Sequence, residues 1–374
     1  MFNMRNPSRR RFLGMAGAAG ASLVMPRGLV RPARAAAPLP PVKEEDAVIA
    51  FGYVGPVSDE GWTWSHNQGM QAVKAAFPKL KQILEVESIP YSADATRIFR
   101  QFVSDGANIV FDSSNYNDFL YAASDAAPEV GWFECDGRRV ADNMGWYYIA
   151  HWYPTYVVGV AAGMLSKSGK LGYVGSFPVP SVYSGTNAFL MGARSVNPKA
   201  TMQVIMINSW FDPQGANQAG TALLDNGCDF LFGIMDEAAY LQVAEKRGAW
   251  AAMWNTDMRK HGPKAYVSSL MLDWKAFYVD QVRKRLAGEW TGGQEVLLPM
   301  AAGIDRDAWG ENVPKEVQEA ADAVRTKILG GYSPFVGEIK DNKGVVRVKE
   351  GERMDEITLY HWDWSIEGVT GINA

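Results

Sequence analysis

The sequence predicts an α/β protein built from two doubly wound parallel-sheet lobes, on three observations. Its 374 residues exceed what one small domain needs and fall short of three. Short continuous apolar runs, of which Val48-Ile49-Ala50-Phe51-Gly52-Tyr53-Val54 is the first, mark strands buried on both faces. These runs alternate with helical stretches, and the alternation plays out twice along the chain. Each half is therefore expected to make its own sheet covered by helices.

The first round opens at Ala47. A Gly/Pro/Ser/Asp loop at 55–61 follows the first strand, then a helix over about 65–77 and a second strand over 81–89. Asp94 stands where it can cap a helix running to Asp105, with Ile98, Phe102 and Val103 on one face. A third strand at 108–112 leads into the polar loop Ser113-Ser114-Asn115-Tyr116-Asn117, a short helix, and a strand at 130–135. The second round has a helix over 154–166, a strand at 170–174, a loop at 175–184, a helix over 185–196 and a strand at 202–208. Trp210-Phe211-Asp212-Pro213 opens a helix that reaches Asn226; a strand at 229–233, a helix near 238–247 and a strand at 249–254 complete it. The lobes are expected to comprise 44–142 with 258–290, and 143–257 with 291–335. Residues 336–374 read as a strand-rich appendage, with runs at 337–340, 345–348 and 358–362. It is expected to pack as a flap on one lobe, with no ligand role.

The first 37 residues stand apart, with seven Arg and no acid. Ser8-Arg9-Arg10-Arg11-Phe12-Leu13 is a twin-arginine export motif, Gly14–Met25 is an apolar small-residue run, and Ala33-Arg34-Ala35 suits a small-x-small cleavage site. No cysteine falls here to carry a lipid, so the expectation is a soluble periplasmic protein starting near Ala36. The whole chain holds 37 basic and 41 acidic residues. Setting those seven arginines aside leaves a strongly acidic remainder, which argues against nucleic acid as a partner. No other apolar run approaches the length of a membrane span. Cys135 and Cys228 lack metal-ligand spacing, and His66, His151, His261 and His361 are scattered. No metal or cofactor is expected, and the cysteines read as free buried thiols in different lobes.

In doubly wound sheets ligands sit beyond the carboxyl ends of the strands, so the strand-to-helix loops are the place to look. Those loops combine aromatic and polar residues: Ser58-Asp59-Glu60-Gly61-Trp62, Ser113–Asn117 with Asn115 and Tyr116, Pro178–Tyr183, and Trp210-Phe211-Asp212, with Asp236 and Asp257 after later strands. A planar heterocycle needs faces to stack on and a few carboxylates or amides to read its edge. Trp62, with Trp210 or Phe211, supplies the faces from opposite lobes. Asp59, Asn115, Asp236 and Asp257 supply the edge. The plainer alternative is that Asp212 and Asp236 cap helices and the loop tryptophans lie as lids on a core.

Phe51-Gly52-Tyr53-Val54-Gly55-Pro56, Gly61-Trp62 and Asn67-Gln68-Gly69 resemble the opening of the basic membrane protein family, the purine- and nucleoside-binding proteins of ABC importers. The segments Gly172–Pro180, Gly185–Phe189, Gly192–Pro198 and Trp210–Pro213 are similar to its second lobe, so the resemblance runs from about Ala47 to Phe335. It implies the type I periplasmic binding fold, a hinge of three crossings, and delivery to an inner-membrane permease and its ATPase by a monomer. Carried over by position, the resemblance implies that Trp62 stacks, Asp59 reads the purine edge and Asn115 supplies an amide. It likewise implies that Trp210-Phe211 oppose Trp62 and that Asp257 meets a ribose hydroxyl. Two departures stand out. Ser269-Leu270-Met271-Leu272 offers no lysine where nucleoside binders have one, and Ile234-Met235-Asp236-Glu237 replaces a glycine-rich turn. Both imply a free base such as adenine rather than a nucleoside.

Rival readings remain at this level. A nucleoside hydrolase would also use aspartates, but the sequence has no clustered acidic string, G-x-S-x-G or Walker loop. A binder of aliphatic amino acids would need a Ser/Thr-rich carboxylate clamp, for which Ser113-Ser114 is the weak candidate. A periplasmic sensor subunit feeding a membrane receptor would show the same loops.

Overall fold

The structure is a computed structural model, and it describes residues 30–32 and 36–372. The twin-arginine motif, the apolar run after it and the cleavage triplet lie outside the described residues. In chain order the first elements are β1 (Val30–Pro32), β2 (Val48–Gly52), α1 (Trp62–Ala76), β3 (Gln82–Val86), α2 (Ala93–Ser104), β4 (Ile109–Asp112), α3 (Asp118–Ser124), β5 (Gly131–Cys135) and β6 (Met144–Ile149). Next come α4 (Trp152–Leu165), β7 (Lys170–Gly175), α5 (Pro180–Arg194), β8 (Thr201–Met206), α6 (Pro213–Asp225), β9 (Phe230–Gly233), α7 (Ala239–Arg247), β10 (Trp250–Asn255) and β11 (Tyr266–Leu272). The chain closes with α8 (Lys275–Ala287), β12 (Gln294–Leu298), β13 (Ile304–Arg306), α9 (Lys315–Leu329), β14 (Ile339–Lys340), β15 (Val346–Val348), α10 (Glu356–Tyr360) and β16 (Val369–Thr370).

Among the described residues two seven-stranded sheets form, ordered β1-β12-β6-β5-β4-β2-β3 and β13-β11-β10-β9-β7-β8-β16, and β14 and β15 make a separate antiparallel pair. The two large sheets are parallel except where β1 meets β12 and β13 meets β11. Each has its topological switch beside its first long strand, with β2 between β3 and β4 and β7 between β8 and β9. Parallel register stacks the core of the first lobe: Phe51 pairs with Phe111 and Phe111 with Phe133. Their ring centroids lie 5.2 and 5.8 Å apart. In the second lobe α4 and α5 pack backbone to backbone. A Cβ on Gly192 would lie 2.1 Å from the Tyr156 carbonyl oxygen, so only glycine permits that approach.

The chain crosses between sheets three times: after β6, after β11 and after β12. The expected lobe boundaries need correction at each. β6 joins β5 and β12 in the first sheet, although residues from 143 were expected in the second lobe. β11 joins β10 in the second sheet, not the first lobe, and β12 lies in the first sheet, not the second. An apolar strand run says that a strand is buried, not which sheet it joins; partner choice is settled by pairing. Two local expectations also change. Ser92, not Asp94, caps α2, its Oγ accepting from Asp94 N. The run at 358–362 is not a strand: its first residues belong to the short helix α10. Cys135 and Cys228 are buried and unpaired.

Candidate functional site

Asp59 organises the first wall. Its carboxylate accepts from the backbone N–H groups of Gly61 (2.8 Å), Thr63 (2.9 Å) and Trp64 (2.9 Å), satisfying the free donors at the start of α1. That cap fixes Trp62 in the first turn. The indole Nε1 donates to the Ser113 carbonyl at 2.7 Å. The ring is backed edge-on by His66 at 4.8 Å and Trp274 at 5.5 Å. His66 is fully buried, and burial pushes its pKa well down, so the backing ring is neutral.

The loops beyond β2, β4, β7 and β9 meet over a cavity of about 550 Å³. The first lobe lines it with Trp62, Tyr91 and Tyr148, and the second with Phe177, Trp210, Phe211 and Trp254. Polar groups come from Asp59, Asn115, Asp136 and Asp236, with Ser58, Thr63, Ser114 and Ser181. Among the described residues no Lys, Arg or His lines it. Three carboxylates face the space without a cation.

The lobes are closed on one another at its mouth. Asp236 of the second lobe accepts from Asn255 Nδ2 at 2.5 Å and lies against the first turn of α1. A Cβ on Gly61 would sit 3.1 Å from Asp236 Cβ. Burial and the neighbouring Asp59 push the Asp236 carboxyl up to about 7, and burial lifts Asp136 to about 6. Farther out, Glu60 takes Lys260 Nζ at 2.7 Å and His261 Nε2 at 3.4 Å, while Thr256 Oγ1 donates to its carbonyl.

Of the residues singled out from the sequence, Asp59, Trp62, Asn115, Trp210, Phe211 and Asp236 line this cavity. Two do not. Tyr116 is a core residue, 1% exposed, stacked on Tyr91 at 4.8 Å, with its hydroxyl donating to the Ile89 carbonyl. Asp257 is exposed and paired with Arg259 at 2.8 Å. The chain turns at Asn255, which takes a left-handed φ of 72°, and Asp257 ends up outside while Asn255 is fully buried. Leu272, at the end of β11, is also not part of the lining. Asp136, Tyr148, Phe177 and Trp254 were missed, although each sits at or just past a strand's carboxyl end, where the same loop rule points. Tyr91 carried no comparable signal.

A family model described as "Bmp: ABC transporter substrate-binding protein PnrA-like" matches residues 47–343. The purine-binding protein of Brucella abortus (strain 2308) is 34% identical over 328 residues, 87% of this chain and 93% of that one. A protein of Haloferax volcanii, named as a candidate ABC transporter glucose-binding protein, is 34% identical over 77% of this chain and 74% of its own length. Among solved structures, a solute-binding protein from Conexibacter woesei superposes with a TM-score of 0.63 at 19% identity, over 76% of this chain and 97% of that one. One from Aeropyrum pernix K1 gives 0.65 at 15% identity, over 79% and 93%. These likenesses carry the fold: two lobes of the type I periplasmic binding kind.

Proposed function

The chain belongs to the PnrA-like Bmp family of ABC transporter substrate-binding proteins, and from that premise we propose that it captures a purine base, adenine foremost, between its lobes. The family is a non-enzymatic transport component, handing a small molecule to a membrane permease and its ATPase. The observation that carries the ligand reading is the cavity wall: aromatic faces from both lobes, three carboxylates and no basic side chain. Trp62 and Trp210 or Phe211 can sandwich a flat ring. Asp136, Asp236 and Asn115 then read its N–H groups, while Asp59 is committed to the cap of α1. A phosphate or carboxylate would enter this wall unpaired, which disfavours nucleotides and amino acids. The Brucella abortus relative, named for purine binding, supports the same reading.

A nucleoside is the second reading, because about 550 Å³ also admits a ribosylated base. Calorimetry on ligand-stripped protein with adenine, guanine, hypoxanthine, adenosine, inosine and glucose separates these. Adenine should bind about tenfold more tightly than adenosine, a difference of roughly 1.4 kcal/mol. Adenosine or inosine as the tightest ligand would reverse base over nucleoside, and glucose as the tightest would remove the purine. We further propose export through the twin-arginine route as a soluble, monomeric periplasmic protein, on the strength of Arg9-Arg10 and the absence of Cys from the first 37 residues. Among the described residues no helix is long and apolar enough to cross a membrane.

A further inference from the structure

The family match ends at residue 343, yet the chain beyond it reaches the cavity wall from behind. This last segment is bolted to the second lobe. β16 pairs with β8, and Asn187 holds the Trp364 carbonyl at 2.7 Å and the Ile366 N–H at 3.0 Å. From that anchor α10 lies across the first crossing between the lobes, so the segment is not a flap confined to one of them. At its start Glu356 accepts from Trp152 Nε1 at 3.2 Å and the Tyr153 hydroxyl at 2.5 Å, where α4 begins. At its end Tyr360, 4% exposed, packs on the first lobe. Its ring stacks on Trp146 at 4.9 Å with planes 10° apart and lies 5.5 Å from Tyr148. Its hydroxyl donates to the Gly137 carbonyl at 2.8 Å. Asp136, next to Gly137, and Tyr148 both line the cavity. Asp136 sits at a left-handed φ of 55°, a conformation that neighbouring contacts must hold.

We propose that Tyr360 is a positioning residue for ligand binding: touching no ligand itself, it holds Asp136 and Tyr148 in place, so that the segment beyond residue 343 sets affinity. The inference rests on the purine reading of the cavity. The groups facing Asp136 are Glu134 and Cys135 on β5, Arg138 in its own loop, Tyr91 ahead of α2, Tyr148 on β6 and Tyr360 on α10. Burial raises the Asp136 carboxyl, and the Tyr360 hydroxyl and Arg138 hold it down. Removing the hydroxyl removes one of those restraints, so the carboxyl titrates higher. An ionised Asp136 that accepts a ligand N–H gives full affinity above its pKa and loses it as pH falls through that value. The loss should therefore begin at higher pH in Tyr360→Phe.

The test uses full-length, ligand-stripped protein with adenine as probe, titrated calorimetrically from pH 5 to 8. Carbon NMR of the Asp136 carboxyl follows its titration without ligand. Tyr360→Phe keeps the stack and should raise Kd roughly fivefold near pH 7, the scale of one lost neutral hydrogen bond. Both the affinity midpoint and the carboxyl titration should move upward. Trp146→Phe loosens the ring's seat without touching the hydroxyl or the cavity, and should weaken binding in the same direction but less. It also serves if Tyr360→Phe does not fold. Unchanged affinity and an unmoved Asp136 titration would overturn the proposal. If the unmodified protein ignores adenine while the Asp136 titration still shifts in Tyr360→Phe, the purine reading fails and the positioning role stands.

Discussion

Asp236 is half-buried between Asn255 and the start of α1, next to a second carboxylate, and its pKa rises to about 7. An acid with a raised folded pKa costs nothing when both states are protonated. It destabilises the fold progressively as pH rises from about 4 to 7, then contributes a constant penalty above that. Asp136, Glu134 and Glu237, raised to about 6, 7 and 7, act in the same direction. Asp236→Asn should therefore gain on the order of 1 kcal/mol at pH 8 and flatten the decline between about pH 4 and 7. Melting curves of both proteins across that range check it, and an identical slope would show that Asp236 does not carry the effect. Trp62 makes a separate prediction. Trp62→Ala should weaken adenine binding by about 1–3 kcal/mol, the range for losing a base–aromatic stack; affinity equal to wild type would place the indole in the core. Residue types announced Trp62, Trp210 and Asp236 as candidates because aromatic rings and carboxylates occur together in the loops beyond the carboxyl ends of buried strands. Nothing in the residue types distinguished Asp257 from Asn255, since one turn in the backbone decides which of them faces inward.

The element that matters most is α1, whose first turn carries Trp62 and receives the second lobe. Its cap is Asp59, with three backbone N–H donors on one carboxylate. Asp59→Ala should cost about 0.5–2 kcal/mol of stability, the usual price of a lost N-cap. It should also weaken ligand binding, because Trp62 then loses its fixed geometry. Asp59→Asn, which can still accept from the helix, should recover most of both. Denaturant melts and calorimetry on the pair separate this from a direct ligand contact, in which Asn would fail to restore affinity. Strand and helix existence was legible from apolar runs and helix signals, and α5 starting five residues early at Pro180 shows the limit at boundaries. Short helix α10 was misread because Thr358-Leu359-Tyr360 suits either conformation locally, and its packing across the hinge selects helix.

Across the whole molecule, closure brings Glu60 of one lobe onto Lys260 and His261 of the other. The pair is largely exposed, so its contribution is screened. Glu60→Gln should speed ligand release severalfold, an effect fading at high salt; a release rate unchanged in stopped-flow fluorescence at low salt would leave the contact without a role in closure. Export can be tested separately: Arg9→Lys with Arg10→Lys should leave precursor in the cytoplasm, and normal export would exclude the twin-arginine route. By itself, the sequence determined the two-lobed parallel fold and pointed to the loops that line the cavity, because hydrophobic period and strand-to-helix loops are local properties of the chain; the family rested on resemblance over particular motifs such as Gly172–Pro180. Only the tertiary structure decided which sheet β6, β11 and β12 join, that Asp136 and Tyr148 reach the cavity, and that residues beyond 343 buttress it. Those outcomes depend on strand pairing and on contacts between residues more than two hundred positions apart, such as Gly137 and Tyr360, which no local pattern encodes.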